Sequence, residues 1–319
     1  MRTITQSQVD LIDAVLAEKQ VGGLTAAILE KDVHVTEALH AIAALKHPHV
    51  TFVFCGGTSL SKAHGLIERM SEDVDLKVVL TADHNLTRSG VRDNLSKLKH
   101  LVASTLERLD FVADQKACIA RNENRYIAMG WSYKSKYETD NSLRPHLSIE
   151  LTVRSPKFPT EQKPIGYLVD RLAERQGITA NLDCIAVEET LAEKVLSFLR
   201  RHAEHRSGNM QRDWDTALVR HIYDTYCIVR ADPTAVEKAK THFHKLVTYD
   251  TEEFKRHENF VKDPKACLLN ALTVCENEAQ TLKEYQNRLM PLVYGNVQPE
   301  FQVAFAVFKA CALELLGTL

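Results

Sequence analysis

The stretch Phe52-Val53-Phe54-Cys55-Gly56-Gly57-Thr58-Ser59-Leu60-Ser61-Lys62 constrains the fold most. Its apolar run reads as a buried strand. A Gly-Gly-Thr-Ser turn then opens a helix with the stripe Leu60, Ala63, His64 and Ile67. Free backbone N–H groups at such a helix start suit a phosphate. Without Cβ atoms, Gly56 and Gly57 let a triphosphate approach the backbone, and the Thr58 and Ser59 hydroxyls are candidate donors to its β and γ phosphates. The competing meaning of a Gly-Gly pair is a tight turn and nothing more. No Gly-x-x-x-x-Gly-Lys-(Ser/Thr) loop surrounds the segment, which argues against a P-loop ATPase.

Within a dozen residues comes Arg69-Met70-Ser71-Glu72-Asp73-Val74-Asp75-Leu76. Alternation with Val74, Leu76 and Val78 predicts a strand over 71–80 that projects Asp73 and Asp75 from one face. Mg²⁺ prefers oxygen ligands, so two carboxylates on one face are candidate metal ligands. In a further predicted strand, 146–153, Leu147, Ile149, Leu151 and Val153 share a face. Glu150 then lies on the other face, as a candidate third carboxylate. The bland reading of the pair is an acidic strand end in solvent. The Gly-Gly-Thr turn close by favours the functional one.

The rest of the chain organises around this core. Residues 7–46 show helical spacing, interrupted at Gly22-Gly23 and ended near Pro48. After the Asp-x-Asp strand come an amphipathic helix over 94–109 and strand patterns near 111–118, 125–134 and 146–153. A Pro-rich stretch (Pro156, Pro159, Pro164) ends the strand run, and helical periodicity then dominates over 187–202, 212–229, 233–246 and 304–316. The expectation is an α+β protein: a mixed-sheet core with N-terminal helices over 1–170, and a helical region over 171–319.

With 319 residues, 45% hydrophobic and 26% charged, the chain has ample material for a folded core. A formal charge of −2 gives no overall bias toward nucleic acid or membrane, so any RNA site must be a local patch. The seven scattered cysteines include no Cys-x-x-Cys pair and read as reduced thiols. The 14 histidines show no spacing suited to zinc. No signal region or apolar run long enough to span a bilayer is present, which predicts a cytoplasmic protein without a membrane span. Around Arg121, Arg125, Lys134 and Lys136, the aromatics Tyr126, Trp131, Tyr133 and Tyr137 interleave with positive charge. That mixture suits RNA, although strand aromatics are more often core.

The wording Gly56-Gly57-Thr58-Ser59-Leu60-Ser61-Lys62, then Arg69-x-Ser71-x-Asp73-x-Asp75-Leu76, resembles the AbiEii/AbiGii toxin family of bacterial nucleotidyltransferases. Glu30-Lys31-Asp32-Val33-His34-Val35-Thr36 looks like that family's leading helix, so the resemblance spans residues 30–224. It implies a nucleotidyltransferase-like core and Mg²⁺-dependent transfer of NMP from an NTP, with loss of pyrophosphate. It also implies a tRNA 3′ end as acceptor, and a toxin whose antitoxin acts without binding it directly. Gly56, Gly57, Thr58, Ser59, Lys62 and Ser71 are then nucleotide-binding candidates.

Farther on, Glu189-Thr190-Leu191-Ala192-Glu193-Lys194 resembles the family's lysine motif, with Lys194 directed to phosphate. Arg220-His221-Ile222-Tyr223-Asp224 resembles its closing Arg/Asp element, with Asp224 orienting Lys194 and Arg220 holding phosphate. Asp213, after Arg212, is the rival carboxylate. From the residues alone, Lys194 at the edge of the Leu191/Val195/Phe198 stripe is equally a snorkelling lysine, and Arg220/Asp224 a surface i,i+4 pair. Transfer to a protein or small molecule is one alternative function. A catalytically idle nucleotide-binding module is another, but it sits poorly with two intact aspartates.

Overall fold

The computed structural model describes residues 1–18, 23–138, 143–208 and 214–319. Gly22, Arg212 and Asp213 lie outside the described residues. The chain forms two compact units, one of Met1–Gly65 with Arg69–Ile185 and the other of Leu66–Glu68 with Ala186–Leu319.

In the first unit the order is α1 (Gln6–Glu18), α2 (Ala26–Ala43), β1 (Val50–Cys55), α3 (Gly56–Lys62), β2 (Asp73–Leu80) and α4 (Arg88–Glu107). There follow β3 (Val112–Arg121), β4 (Tyr126–Ser132), β5 (His146–Val153), β6 (Glu161–Ile165), α5 (Leu168–Leu172) and β7 (Ala180–Cys184). The seven strands form one mixed sheet in the order β3-β4-β5-β2-β1-β7-β6. β2 runs parallel to β5 and β1 parallel to β7, while β1 and β2 are antiparallel.

Strand alternation decides which face carries what. Phe52 and Phe54 of β1, Val74, Leu76 and Val78 of β2, and Leu147, Ile149 and Leu151 of β5 share one core with Leu39 of α2 and Leu95 and Leu98 of α4. Side chains one residue out of phase, including Asp73, Asp75 and Glu150, therefore project from the other face. A slip of one residue would bury those carboxylates under the helices.

α2 is anchored by its cap, since the Thr25 hydroxyl accepts from the Ile28 N–H at 3.3 Å. Its first turns bury Glu30, Lys31, Asp32 and His34. Burial pushes the His34 imidazole down to about 3, so it packs as a neutral ring 4.1 Å from that of Tyr133. Glu30 is already engaged: it accepts from the Ser135 hydroxyl and the N–H groups of Lys136 and Tyr137. Trp131 is buried, Tyr133 stacks on His34, and the Tyr137 hydroxyl donates to Asp13 at 2.8 Å. These aromatics are committed to internal contacts, not to a base-stacking surface. Arg121, Arg125, Lys134 and Lys136 are exposed.

Two local expectations change. The helix after the Gly-Gly turn ends at Lys62, so His64 and Ile67 lie beyond it, and Gly65 adopts φ +64° shortly after. The Pro-rich stretch leads into two strands that the sequence pattern did not reveal. β6 tolerates Pro164 because it is the sheet's edge, where a missing N–H breaks no second ladder. β7 then returns to pair with β1, so the first unit runs to Ile185.

The second unit is helical: α6 (Val187–Arg206), a 3₁₀ turn (Thr216–Val219), α7 (Arg220–Ala231), α8 (Ala235–Glu253), α9 (Glu258–Lys262), α10 (Pro264–Glu276), α11 (Ala279–Glu284) and α12 (Phe301–Leu316). α6 lies at its centre. Phe198 meets Phe308 of α12 edge-on at 5.0 Å, and buried Arg200 pairs with Asp250 of α8 at 3.1 Å. Asp263 caps α10 by accepting from Ala266 N–H, with Pro264 at the first helical position. Among the described residues no helix is long and apolar enough to cross a membrane, and all seven cysteines are free thiols.

Candidate active site

Strand register assembles the centre of the site. Cys55, Asp75 and Glu150 are cross-strand neighbours on β1, β2 and β5, and Asp73 lies one pleat along, opposite Ser148. The Asp75 carboxylate reaches over the turn: a Cβ on Gly56 would sit 2.2 Å from Asp75 Oδ2. Gly56 also has φ +76°, so both space and backbone conformation require glycine there. A Cβ on Gly57 would lie 2.8 Å from Arg69 Nη2 and 2.9 Å from Ser71 Oγ. The pair thus seats the turn between Asp75 on one side and Arg69 with Ser71 on the other.

The hydroxyls expected to meet phosphate point inward. Thr58 Oγ1 donates to the Asp73 carbonyl and lies 2.9 Å from Ser71 Oγ, and both Thr58 and Ser59 are buried. Thr58 therefore ties the turn to the start of β2. Its contribution is to fix where Asp73 and Asp75 stand.

Each outer carboxylate has a partner. Asp73 Oδ1 accepts from Arg144 Nη1 at 2.5 Å, and Glu150 Oε2 accepts from the Tyr126 hydroxyl at 3.0 Å. Burial and then the Glu150 charge push the Tyr126 phenol up, so it stays protonated and donates. Among the described residues no group of three His, Cys, Asp or Glu side chains forms a ready metal cage. The carboxylate oxygens on this face nevertheless suit a hard divalent cation, and the Cys55 thiol beside them donates to the Asp75 carbonyl at 3.4 Å.

Lys62 has partners within the first unit. Its ammonium lies 2.6 Å from Asp32 Oδ1 and donates to Thr36 Oγ1 at 2.6 Å and to the Gly166 carbonyl at 3.2 Å. Burial pushes this ammonium's pKa down while Asp32 opposes the shift. Asp32 in turn accepts from the Leu168 N–H at 2.7 Å. With its three donors occupied, Lys62 joins α3, α2 and the residues before α5. We expect Lys62→Met to cost roughly 3–5 kcal/mol of stability, because Asp32 is left as a buried unpaired charge. Nucleotide affinity of the folded fraction should be unchanged. A urea midpoint equal to wild type, with nucleotide binding lost, would instead place Lys62 at the phosphate site.

In the second unit, Lys194 of α6 lies 2.6 Å from Asp224 Oδ2 of α7, and both are buried. His221 Nδ1–H donates to the Lys194 carbonyl at 3.0 Å, and burial pushes its imidazole down to about 3, keeping it neutral beside the ammonium. Arg220 heads α7 one turn before Asp224. The surface-pair reading of Asp224 thus gives way to a buried ion pair. Its rival Asp213 lies outside the described residues.

The residue patterns did not single out Arg144, Tyr126 or Arg69 as neighbours of the carboxylates and the turn. Arg69 stands within the quoted motif, and Tyr126 alternates toward the carboxylate face, so both had a signal. Arg144 had none, because it sits in a connection and reaches Asp73 from 71 positions away.

The family model described as "Nucleotidyl transferase AbiEii toxin, Type IV TA system" matches residues 37–307. It begins just after the Glu30–Thr36 segment that the motif resemblance included, and runs far past Asp224, where that resemblance stopped. No curated protein matches. Among solved structures the chain is similar to MenT4, nucleotidyltransferase toxin Rv2826c from Mycobacterium tuberculosis H37Rv. The two are 19% identical, with 73% of this chain and 77% of that chain covered and a TM-score of 0.40.

Proposed function

This chain belongs to the AbiEii family of nucleotidyltransferase toxins of type IV toxin–antitoxin systems, and we propose that it transfers NMP from an NTP to the 3′-terminal hydroxyl of tRNA in the cytoplasm. The observation that supports this reading best is the juxtaposition of Asp75 with Gly56 and, in register, with Glu150, with Asp73 one pleat along. Asp73 and Asp75 would hold Mg²⁺, with Glu150 beside them. Bound there, the ion supplies neutralising charge for the triphosphate.

Gly56 and Gly57 keep the turn bare of side chains where phosphate must approach, and Ser71 lies against that turn. Lys194, oriented by Asp224, and Arg220 are the further cations that we assign to phosphate. Exposed Arg121, Arg125, Lys134 and Lys136 are the charges offered to the tRNA backbone, so binding should weaken steeply with salt. Capping an essential 3′ end would block aminoacylation, which is the basis on which growth arrest and a use in phage defence are expected. An antitoxin that restores growth need not touch the protein.

The test is incubation with each α-labelled NTP, Mg²⁺ and total cellular RNA and protein, alongside expression in a bacterial host. Label is expected on intact tRNA, and growth is expected to slow with wild type but not with Asp75→Asn. Label on protein or on a small molecule would replace the acceptor. Equal growth inhibition by both forms at matched expression would count against the enzymatic basis of toxicity.

A further inference from the structure

Arg144 is held beside Asp73 by more than its own side chain. Its backbone N–H donates to Glu72 Oε2 at 2.6 Å, and its carbonyl accepts from Lys31 Nζ at 2.8 Å. Lys31 also donates to the His146 carbonyl at 2.6 Å and lies 3.7 Å from Glu72 Oε2, with both Lys31 and Glu72 buried. Two buried opposite charges therefore grip the peptide groups on either side of one residue. Such a grip is costly to build in a protein interior and is maintained where position matters. What it positions is an exposed guanidinium, 2.5 Å from a carboxylate that directly precedes Val74 and Asp75 on β2.

We propose that Arg144 is the resident counterion of Asp73 in the free enzyme, and that it moves from Asp73 to the triphosphate when a cation and an NTP occupy the site. The inference rests on the assignment of Asp73 as a metal-binding carboxylate in nucleotidyl transfer. An arginine's fork recognises carboxylate and phosphate alike, so the exchange needs rotation of the side chain while the backbone stays gripped. In the free protein Arg144 opposes cation binding by neutralising Asp73. In the complex it holds the nucleotide. The two roles carry opposite signs.

The experiment measures Mn²⁺ binding without nucleotide, and binding of a non-hydrolysable NTP analogue at saturating Mn²⁺, for wild type, Arg144→Gln and Arg144→Lys. Removing one exposed ion pair should tighten Mn²⁺ binding about two- to fivefold. Losing a charged hydrogen bond to phosphate should weaken analogue binding about tenfold or more. Arg144→Lys should restore much of both. Mn²⁺ affinity unchanged or weakened in Arg144→Gln, or analogue affinity unchanged, overturns the proposal. If wild type binds neither Mn²⁺ nor the analogue, the nucleotidyl-transfer assignment of this face fails instead. As Arg144 is exposed, its variants should fold, and a melting temperature near wild type for each shows that the affinity changes are not loss of fold.

Discussion

Asp75→Asn is expected to reduce nucleotidyl transfer at least about a hundredfold, since on the proposed assignment one amide replaces a carboxylate that holds the cation beside the triphosphate. The fold should survive. Asp75 stands on the strand face away from the apolar core, and its neighbours Val74 and Leu76 do the packing. The amide keeps the carboxylate's shape over Gly56, where a Cβ on the turn would already lie 2.2 Å from Asp75 Oδ2. Relief of like charge near Glu150 should leave the urea midpoint equal to wild type or slightly higher. Transfer assays with labelled NTP, together with urea titrations, check both statements. Full activity in a folded Asp75→Asn protein would remove the metal assignment for this face.

The second large effect concerns Lys194 and Asp224. Asp224→Ala strands a buried ammonium and should cost roughly 3–5 kcal/mol, enough to unfold much of the helical unit. Lys194→Met removes the charge at the other end and takes from the carboxylate its partner at 2.6 Å, which should also lower the urea midpoint. Lys194→Met combined with Asp224→Leu leaves no unpaired charge and should recover most of the urea midpoint, as apolar replacements of buried ion pairs often do. The double variant separates the two meanings of the pair. If Lys194 serves phosphate, the stable double variant transfers no nucleotide. Wild-type transfer in that variant would make the pair purely structural.

The sequence was most legible where its signals are local. β1, the Gly-Gly turn and β2 are contiguous, and a period of two predicts which side chains share a face without knowledge of the partner strand. That is why Asp73, Asp75 and Glu150 emerge together on one side of the sheet, as their spacing implied. The same logic failed at β6 and β7. Short strands bearing Pro164 carry a weak pattern, and they exist because β1 has a free edge for β7 to join.

By itself, then, the sequence determined the α+β class, the strand–turn–helix–strand core, the face on which the carboxylates lie, and membership of the nucleotidyltransferase toxin family. Tertiary structure decided the pairing of charges. Lys62 stands beside the phosphate turn in sequence yet is spent on Asp32, Arg144 crosses from a connection to Asp73, and Thr58 turns inward to the Asp73 carbonyl. The reason is physical. Periodicity follows from backbone geometry over a few residues, whereas the partner of a polar group is set by what the fold brings within hydrogen-bond distance once water is excluded. A buried ammonium or hydroxyl must be satisfied by whichever group arrives there, however far away it lies along the chain.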